Sequence, residues 1–181
     1  MAIIVAVAGF LASGCDDGAV TNPQREAGKT AAPRAAPKYA ARKLGGKQVV
    51  DIRDLRGKPL LLTSWATWCT ECRTELPEIQ KLADRYAPHG LQVVGVDVDE
   101  GGDQGPLAFA VQHHLTFPML HDEGHRYQVA FEEVGTPQTE LISSDGKVIK
   151  VWQGAFDTTD PVNLKLIEAQ LPKAAGAGPS T

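Results

Sequence analysis

The sequence predicts an α/β domain whose mixed central sheet carries helices on both faces. The apolar run at residues 60–65 is continuous rather than alternating, which is typical of a strand covered on both sides, and residues 91–98 predict a second buried strand. Between them, apolar residues recur every three or four positions from about residue 72 to 86 and predict a helix. Two later runs flank Ser144-Asp145-Gly146 and predict a hairpin. A strand–helix–strand unit followed by a hairpin gives both parallel and antiparallel pairs.

The other elements follow from turn residues and periodicity. Residues 48–52 alternate well enough for a short first strand, and 54–59 form a turn. Helices are expected at 107–114, 125–133 and 158–171, and the hairpin strands at 138–143 and 147–152. The predicted domain therefore spans residues 47–172, and residues 173–181 are expected to be a disordered tail.

Composition favours one globular domain with appendages. The chain has 181 residues, of which 43% are hydrophobic and 22% charged. Its formal net charge of −4 gives no indication of a nucleic-acid partner. Residues 16–47 carry seven basic and three acidic groups, whereas the remainder to the C-terminus is strongly acidic. The basic excess therefore lies in the segment that precedes the domain.

The first 14 residues are uncharged and mostly apolar. They are too few to cross a bilayer as a helix, which takes about 20 residues. They resemble the apolar part of a signal peptide, and Ala12-Ser13-Gly14-Cys15 is similar to a bacterial lipobox in which Cys15 would be acylated. Ala12 and the absence of a basic residue before the run depart from that pattern. A buried N-terminal strand or helix is the alternative.

Residues 15–46 are rich in Ala and Pro and show no helical or strand period, so we expect a flexible tether. With a lipid on Cys15, this tether would anchor the domain to the periplasmic side of the inner membrane, in the cell envelope. The odd number of cysteines, three, fits this view, because Cys15 would be modified and the other two would form a pair.

The chemistry-bearing pair is Cys69 and Cys72, placed where the apolar strand ends and the helix begins. Unpaired N–H groups and the positive end of the helix dipole stabilise a thiolate there. A thiolate is the attacking species in disulfide exchange, and a second cysteine one turn away can resolve the mixed disulfide. A zinc pair is the alternative, but no second ligand pair has suitable spacing, so we expect no metal and no cofactor.

The residues around this pair resemble the active-site signature of thioredoxin-fold oxidoreductases, and most closely the exported, membrane-anchored TlpA/ResA type. The match comprises Trp65-Ala66-Thr67-Trp68-Cys69, then Cys72-Arg73, then Glu75-Leu76-Pro77, and a second motif, Val134-Gly135-Thr136-Pro137. The likeness extends over about residues 49–171. It implies a thioredoxin fold with an insertion, roughly residues 101–133, between the central strand and the C-terminal hairpin.

The resemblance also implies roles for individual residues. Cys69 would be the exposed nucleophile and Cys72 the more buried resolving thiol. Thr136 and Pro137 would form a cis-proline corner that faces the cysteines and pairs with a substrate strand, although an ordinary trans proline turn is the alternative. Trp68 would be an apolar lip that contacts partner proteins, unless it is only packed at the rim of the core.

A proton acceptor for the resolving thiol is less well marked. Thr63 stands where thioredoxins bury an aspartate, and threonine cannot ionise. By register, the resemblance points instead to Glu100, after the strand at 91–98, as a carboxyl with a raised pKa near the buried thiol. A solvated loop carboxylate is the alternative for Glu100.

The sequence therefore predicts an enzyme, a thiol–disulfide oxidoreductase of the cell envelope that acts as a reductant. Its expected partners are cysteine-containing envelope proteins, with apocytochrome c the leading candidate by resemblance, together with a membrane electron donor. Three alternatives stay open: a copper-site reductant, a copper-handling module and a peroxiredoxin-like peroxidase. The last two normally use Cys-x-x-x-Cys and Thr-x-x-Cys sites, which this pair does not match.

Overall fold

A single mixed sheet organises the described part of the chain, residues 33–172 of the computed structural model. Its eight strands are β1 (Arg34–Ala35), β2 (Ala40–Lys43), β3 (Val49–Asp51), β4 (Leu60–Trp65), β5 (Gln92–Asp97), β6 (Met119–His121), β7 (Gln138–Ile142) and β8 (Lys147–Gln153). The α-helices of the described residues are α1 (Thr70–Tyr86), α2 (Gln104–Gln112), α3 (Arg126–Phe131) and α4 (Pro161–Glu168), and 3₁₀ turns lie at Ile52–Leu55 and Ala87–His89. The predicted α/β class is confirmed.

Strand β4 lies near the centre of the sheet, whose order is β1-β8-β7-β4-β5-β6-β2-β3. It pairs in parallel with β5 and antiparallel with β7, and all six of its residues are buried. The continuous apolar run is therefore explained by cover on both faces. Because β4 runs directly into the Cys69–Cys72 segment, a fully buried strand fixes where that segment starts.

Helix α1 follows β4 after a four-residue turn. Its apolar stripe is buried as the spacing predicts: Leu76, Ile79, Leu82, Ala83 and Tyr86. Pro77 lies within the helix, and the helix continues through it to Tyr86. Burial of this stripe against the sheet holds the N-terminal end of α1 beside the carboxyl end of β4.

The helices cover both faces of the sheet. Thr139 and Glu140 are successive residues of β7 and therefore point to opposite faces. The Thr139 hydroxyl lies near Glu75 of α1, whereas Glu140 accepts a hydrogen bond from the Tyr127 hydroxyl of α3. The Tyr86 hydroxyl of α1 donates to Glu168 of α4 at 2.7 Å. Helices α1 and α4 thus share one face, and α3 lies on the other.

The predicted N-terminal boundary of the domain is wrong. The sequence predicts residues 34–43 to be part of the tether, but they contribute β1 and β2, and β2 pairs with both β3 and β6. Arg42 of β2 bonds Asp103 and Glu123 at 2.7 Å each, and Tyr39 is only 4% exposed. Alanine, lysine and arginine favour strands poorly, so the sequence hid this pairing, which depends on partners far along the chain. The predicted signal peptide, residues 15–32 of the predicted tether and the C-terminal tail lie outside the described residues.

The segment between β5 and β7 contains more secondary structure than the sequence pattern predicts. It holds α2, the short strand β6 and α3, and β6 extends the sheet in parallel to β5. Strand β6 was not predicted, because three residues give no recognisable period. Within residues 33–172, no helix has the length and apolar character needed to cross a bilayer.

Candidate active site

The two cysteines lie at the N-terminus of α1 and are joined by a disulfide. Cys69 is the N-cap residue, and the backbone N–H of Cys72 donates to its sulfur at 3.1 Å. One otherwise unpaired amide of the first turn is thus directed at the Cys69 sulfur. When the disulfide is reduced, the same amide and the helix dipole would stabilise negative charge on that sulfur.

The expected exposure of Cys69 is not found. Its side chain is 3% exposed and that of Cys72 1%. The reason is that Cys69 packs under the facing loop, where its sulfur lies 3.8 Å from the carbonyl oxygen of Thr136. In the oxidised protein, access to Cys69 is therefore confined to the narrow gap between α1 and that loop.

The facing loop contains Thr136 and Pro137, and the peptide bond between them is cis, as the resemblance implied. Beside it lies a groove of about 520 Å³, which is lined in part by Trp68, the neighbour of Cys69 in sequence, and by Thr136. Trp68 is 63% exposed, and Val134, which also lines the groove, is 81% exposed. The structure thus brings Trp68, Thr136 and the two cysteines together, in a place where an extended polypeptide could lie.

The turn that leads into Cys69 is held by a residue that the sequence analysis did not single out. Asp99, just after β5, accepts hydrogen bonds from the backbone N–H and the hydroxyl of Thr67 at 2.9 and 3.0 Å. Arg73 of α1 donates to the carbonyl of Thr67 at 2.8 and 3.1 Å. Thr67 is therefore fixed from both sides, which sets the position of Trp68 and Cys69.

Glu100 does not have the environment expected of it. Its side chain is 84% exposed, and its carboxylate lies 3.3 Å from Nε2 of His125 at the edge of the groove. Strand β5 ends at Asp97, so Glu100 lies in the loop after it, where its side chain turns to solvent. The structure brings Glu100 to the groove but not into the buried surroundings of Cys72.

Glu75 is the carboxyl that does share the buried side of α1 with Cys72. It lies three residues after Cys72, a spacing that places the two side chains on one helix face, and it is 6% exposed. Neither carboxyl oxygen makes a well-formed hydrogen bond. Burial raises the pKa of Glu75 from 4.5 to about 7, and the nearby Phe156 amide and Thr139 hydroxyl lower it only in part.

A signal for Glu75 is present in the sequence. Glu75 falls on the stripe of α1 residues that pack against the sheet, between Cys72 and Ile79. A carboxylate on an apolar stripe is unusual, because burial without a partner is costly. By contrast Thr63, which occupies the position where thioredoxins have an aspartate, only accepts a hydrogen bond from the Thr139 hydroxyl at 2.8 Å.

Among residues 33–172, no three or more His, Cys, Asp or Glu side chains are grouped so that they could hold an ion. The chemistry available at this site is that of the two sulfurs, the helix N-terminus and the buried carboxyl.

A disulfide that caps a helix, opposite a cis-proline loop on a mixed sheet, defines a thiol–disulfide oxidoreductase with a thioredoxin fold. Residues 32–151 match the AhpC/TSA family, and the chain belongs to that family.

Known proteins agree with this assignment. The thiol-disulfide oxidoreductase ResA of Bacillus thuringiensis subsp. konkukian is 32% identical over 121 residues, which cover 67% of this chain and 69% of that protein. ResA of Bacillus subtilis is 30% identical over 121 residues, covering 67% and 66%. Among solved structures, a Chlorobium tepidum protein assigned as thiol:disulfide interchange protein DsbE is 27% identical with a TM-score of 0.70, covering 76% of this chain and 96% of that one.

The raised pKa of Glu75 predicts how the stability of the oxidised protein depends on pH. Between pH 4.5 and about 7 the folded protein keeps a proton on Glu75 that the unfolded chain has lost, so the free energy of unfolding falls as pH rises through this window. The Glu75→Gln variant should therefore lose less stability between pH 5 and 8, by roughly 2 kcal/mol. Urea denaturation at the two pH values measures this.

Glu71→Gln is the matched control, because Glu71 is exposed on the same helix. It should retain the pH dependence of the parent protein. An equal pH dependence in Glu75→Gln and the parent would contradict the raised pKa of Glu75.

Proposed function

We propose that this enzyme reduces disulfides in partner proteins of the cell envelope. The observation that carries the proposal is the position of Cys69. Its sulfur accepts a hydrogen bond from the backbone N–H of Cys72 and lies 3.8 Å from the carbonyl oxygen of Thr136. A sulfur stabilised as a thiolate beside an accessible backbone edge can attack a substrate disulfide while the substrate strand pairs with the loop.

The proposed reaction starts from the reduced enzyme. The thiolate of Cys69 attacks one sulfur of the substrate disulfide, forming a mixed disulfide and releasing the other substrate sulfur as a thiolate that takes up a proton. Cys72 then loses its proton and attacks Cys69, which forms the Cys69–Cys72 disulfide and releases the second substrate thiol. Two electrons pass from the enzyme to the substrate, and the enzyme ends in the oxidised form that the structure shows.

The oxidised enzyme must then be reduced again by an outside donor. The bacterial periplasm is kept oxidising, so a reductant there needs its own supply of electrons. We propose a membrane-embedded dithiol protein as this donor, exchanging with Cys69–Cys72 by the same chemistry in reverse. The likeness to the TlpA/ResA type makes the cysteines of apocytochrome c the leading substrate.

Trapping tests this function directly. Without Cys72 the mixed disulfide cannot be resolved, so the reduced Cys72→Ala enzyme should accumulate covalent adducts with envelope proteins of its native host. Nonreducing electrophoresis followed by mass spectrometry identifies the adducts, and dithiothreitol should release them.

The Cys69→Ala/Cys72→Ala double variant is the control and should form no adducts. An absence of adducts in the single variant would contradict the proposed function. Adducts that never include a c-type cytochrome or its assembly proteins would contradict the substrate class alone.

We further propose that Glu75, rather than Glu100, accepts the proton of Cys72 during resolution. Glu75 is buried on the same side of α1 as Cys72, and with a pKa of about 7 it can take up and give back a proton near neutrality. Glu100 lies in solvent beside His125, where its effect on a buried thiol is screened. Its place at the groove edge fits a contact with substrate.

The matched pair Glu75→Gln and Glu100→Gln separates these roles. Glu75→Gln should slow the resolution of a mixed disulfide by roughly tenfold to a hundredfold, because the proton acceptor is lost. The attack by Cys69 should change little. Glu100→Gln should leave the resolution rate unchanged. Rapid-quench analysis with a cysteine peptide follows both steps, and slow resolution in Glu100→Gln alone would reverse the assignment.

A lipid on Cys15 would place the domain at the membrane, where the proposed donor lies. The support is the apolar N-terminal run that ends in Ala12-Ser13-Gly14-Cys15. We expect the mature protein to begin at an acylated Cys15 and to partition into detergent. The Cys15→Ala variant should appear in the aqueous phase. Mass spectrometry that shows an unmodified Cys15 in membranes would contradict the anchor.

A further inference from the structure

Glu133 occupies a position beside the active site for which the proposed reaction has given no role. It lies at the start of the loop that leads to Thr136 and Pro137, after α3 ends at Phe131. Its side chain is partly buried and contributes to the wall of the groove. Burial raises the pKa of Glu133, and the hydroxyls of Ser64 and Thr136 oppose that rise by donating to it.

The contacts of Glu133 form a bridge between the loop and strand β4. Its Oε1 accepts hydrogen bonds from the Thr136 hydroxyl at 3.1 Å and from the Ser64 hydroxyl. The Ser64 oxygen in turn accepts the backbone N–H of Gln138 at 2.8 Å. The bridge therefore holds the loop on both sides of the Thr136–Pro137 bond. It also attaches the loop to β4, the strand that leads into Cys69.

This arrangement sets the separation between the two halves of the site. Ser64 is 0% exposed and belongs to the fully buried strand β4, so it is a rigid point of attachment. The Thr136 carbonyl, 3.8 Å from the Cys69 sulfur, is held in place through that point. Errors of about 1 Å in the placement of reacting groups are enough to cost large factors in rate.

The second oxygen of Glu133 shows that the contact is not optimised for stability. Oε2 is buried and has no hydrogen-bond partner among the described residues. A buried acceptor without a partner destabilises a fold. The contribution of Glu133 is therefore better explained by the geometry that Oε1 imposes on the loop than by the stability of the fold.

We propose that Glu133 is a positioning residue that holds the Thr136–Pro137 loop ready to pair with the substrate strand. It does not bond the sulfurs, and it acts on the loop through its hydrogen bonds with Thr136 and Ser64. The inference rests on the proposed function, in which a polypeptide substrate pairs with this loop while Cys69 attacks its disulfide. A small disulfide, which cannot pair with the loop, does not need Glu133.

The experiment compares two substrates of the reduced enzyme. One is a disulfide-bonded cysteine peptide long enough to pair as a strand, and the other is 5,5′-dithiobis(2-nitrobenzoate). The Glu133→Ala variant should lose about tenfold in kcat/KM toward the peptide, mainly through KM, because the pairing edge is no longer preformed. Its rate with the small disulfide should stay within about twofold, because the Cys72 amide still faces Cys69.

Two further variants make the test specific. Glu133→Gln keeps an oxygen that can accept from Ser64 and Thr136, so it should restore the peptide reaction. Glu132→Ala removes the neighbouring exposed carboxylate, which has the same charge but no part in the bridge, and should match the parent enzyme with both substrates. Ser64→Ala removes the bridge from the β4 side and should reproduce the selective loss even where Glu133→Ala folds poorly.

The outcomes separate this inference from the function on which it rests. Equal losses on both substrates would show that Glu133 supports the cysteines or the fold and would overturn the positioning role. Full peptide activity in both Glu133→Ala and Ser64→Ala would overturn it as well. A parent enzyme that reduces neither substrate would refute the proposed function, whereas an active parent with unaffected variants would refute only the role of Glu133.

Discussion

The hydrogen bond from the Cys72 amide to the Cys69 sulfur is the contact on which the rest of the site depends. It exists because a buried strand ends and a helix begins within a few residues, so that a sulfur takes the place of the usual oxygen cap. The amide is fixed by the helix and cannot turn away when the disulfide opens. A thiolate formed there meets a donor that is already oriented, without the cost of ordering one.

Three carboxyl groups lie around this sulfur pair in different environments. Asp99 holds the turn before Cys69 through Thr67, and Glu133 holds the opposite loop through Thr136 and Ser64. Glu75 is buried beside Cys72 with no well-formed hydrogen bond, and burial raises its pKa to about 7. Carboxyls that are fixed by donors serve geometry, whereas one that lacks them is free to exchange a proton. The difference between the roles comes from the hydrogen-bond partners and not from the residue type.

Local patterns predicted the parts of the structure that depend on local chemistry. The apolar run of β4 and the stripe of α1 predicted the position of the cysteine pair. The facing loop was implied by the family resemblance of the Gly-Thr-Pro motif and not by a local pattern. Local patterns failed where contacts between distant parts of the chain determine the structure. Strand β2, Ala-Ala-Arg-Lys, has a low intrinsic preference for a strand and forms because β3 and β6 offer pairing edges. Register along β5 pointed to Glu100, but the sequence does not show that β5 ends at Asp97. The role of Glu133 can be recognised only once its burial and hydrogen-bond partners are known, whereas the position of Glu75 on the apolar stripe of α1 is visible in the sequence.

The most direct test of this account asks which sulfur is the nucleophile. The fully reduced protein would be treated at neutral pH with iodoacetamide below one equivalent, and the modified peptide identified by mass spectrometry. We expect the label on Cys69, whose sulfur accepts the hydrogen bond of the helix amide and lies beside the Thr136 carbonyl. Label on Cys72 in equal or greater amount would contradict it.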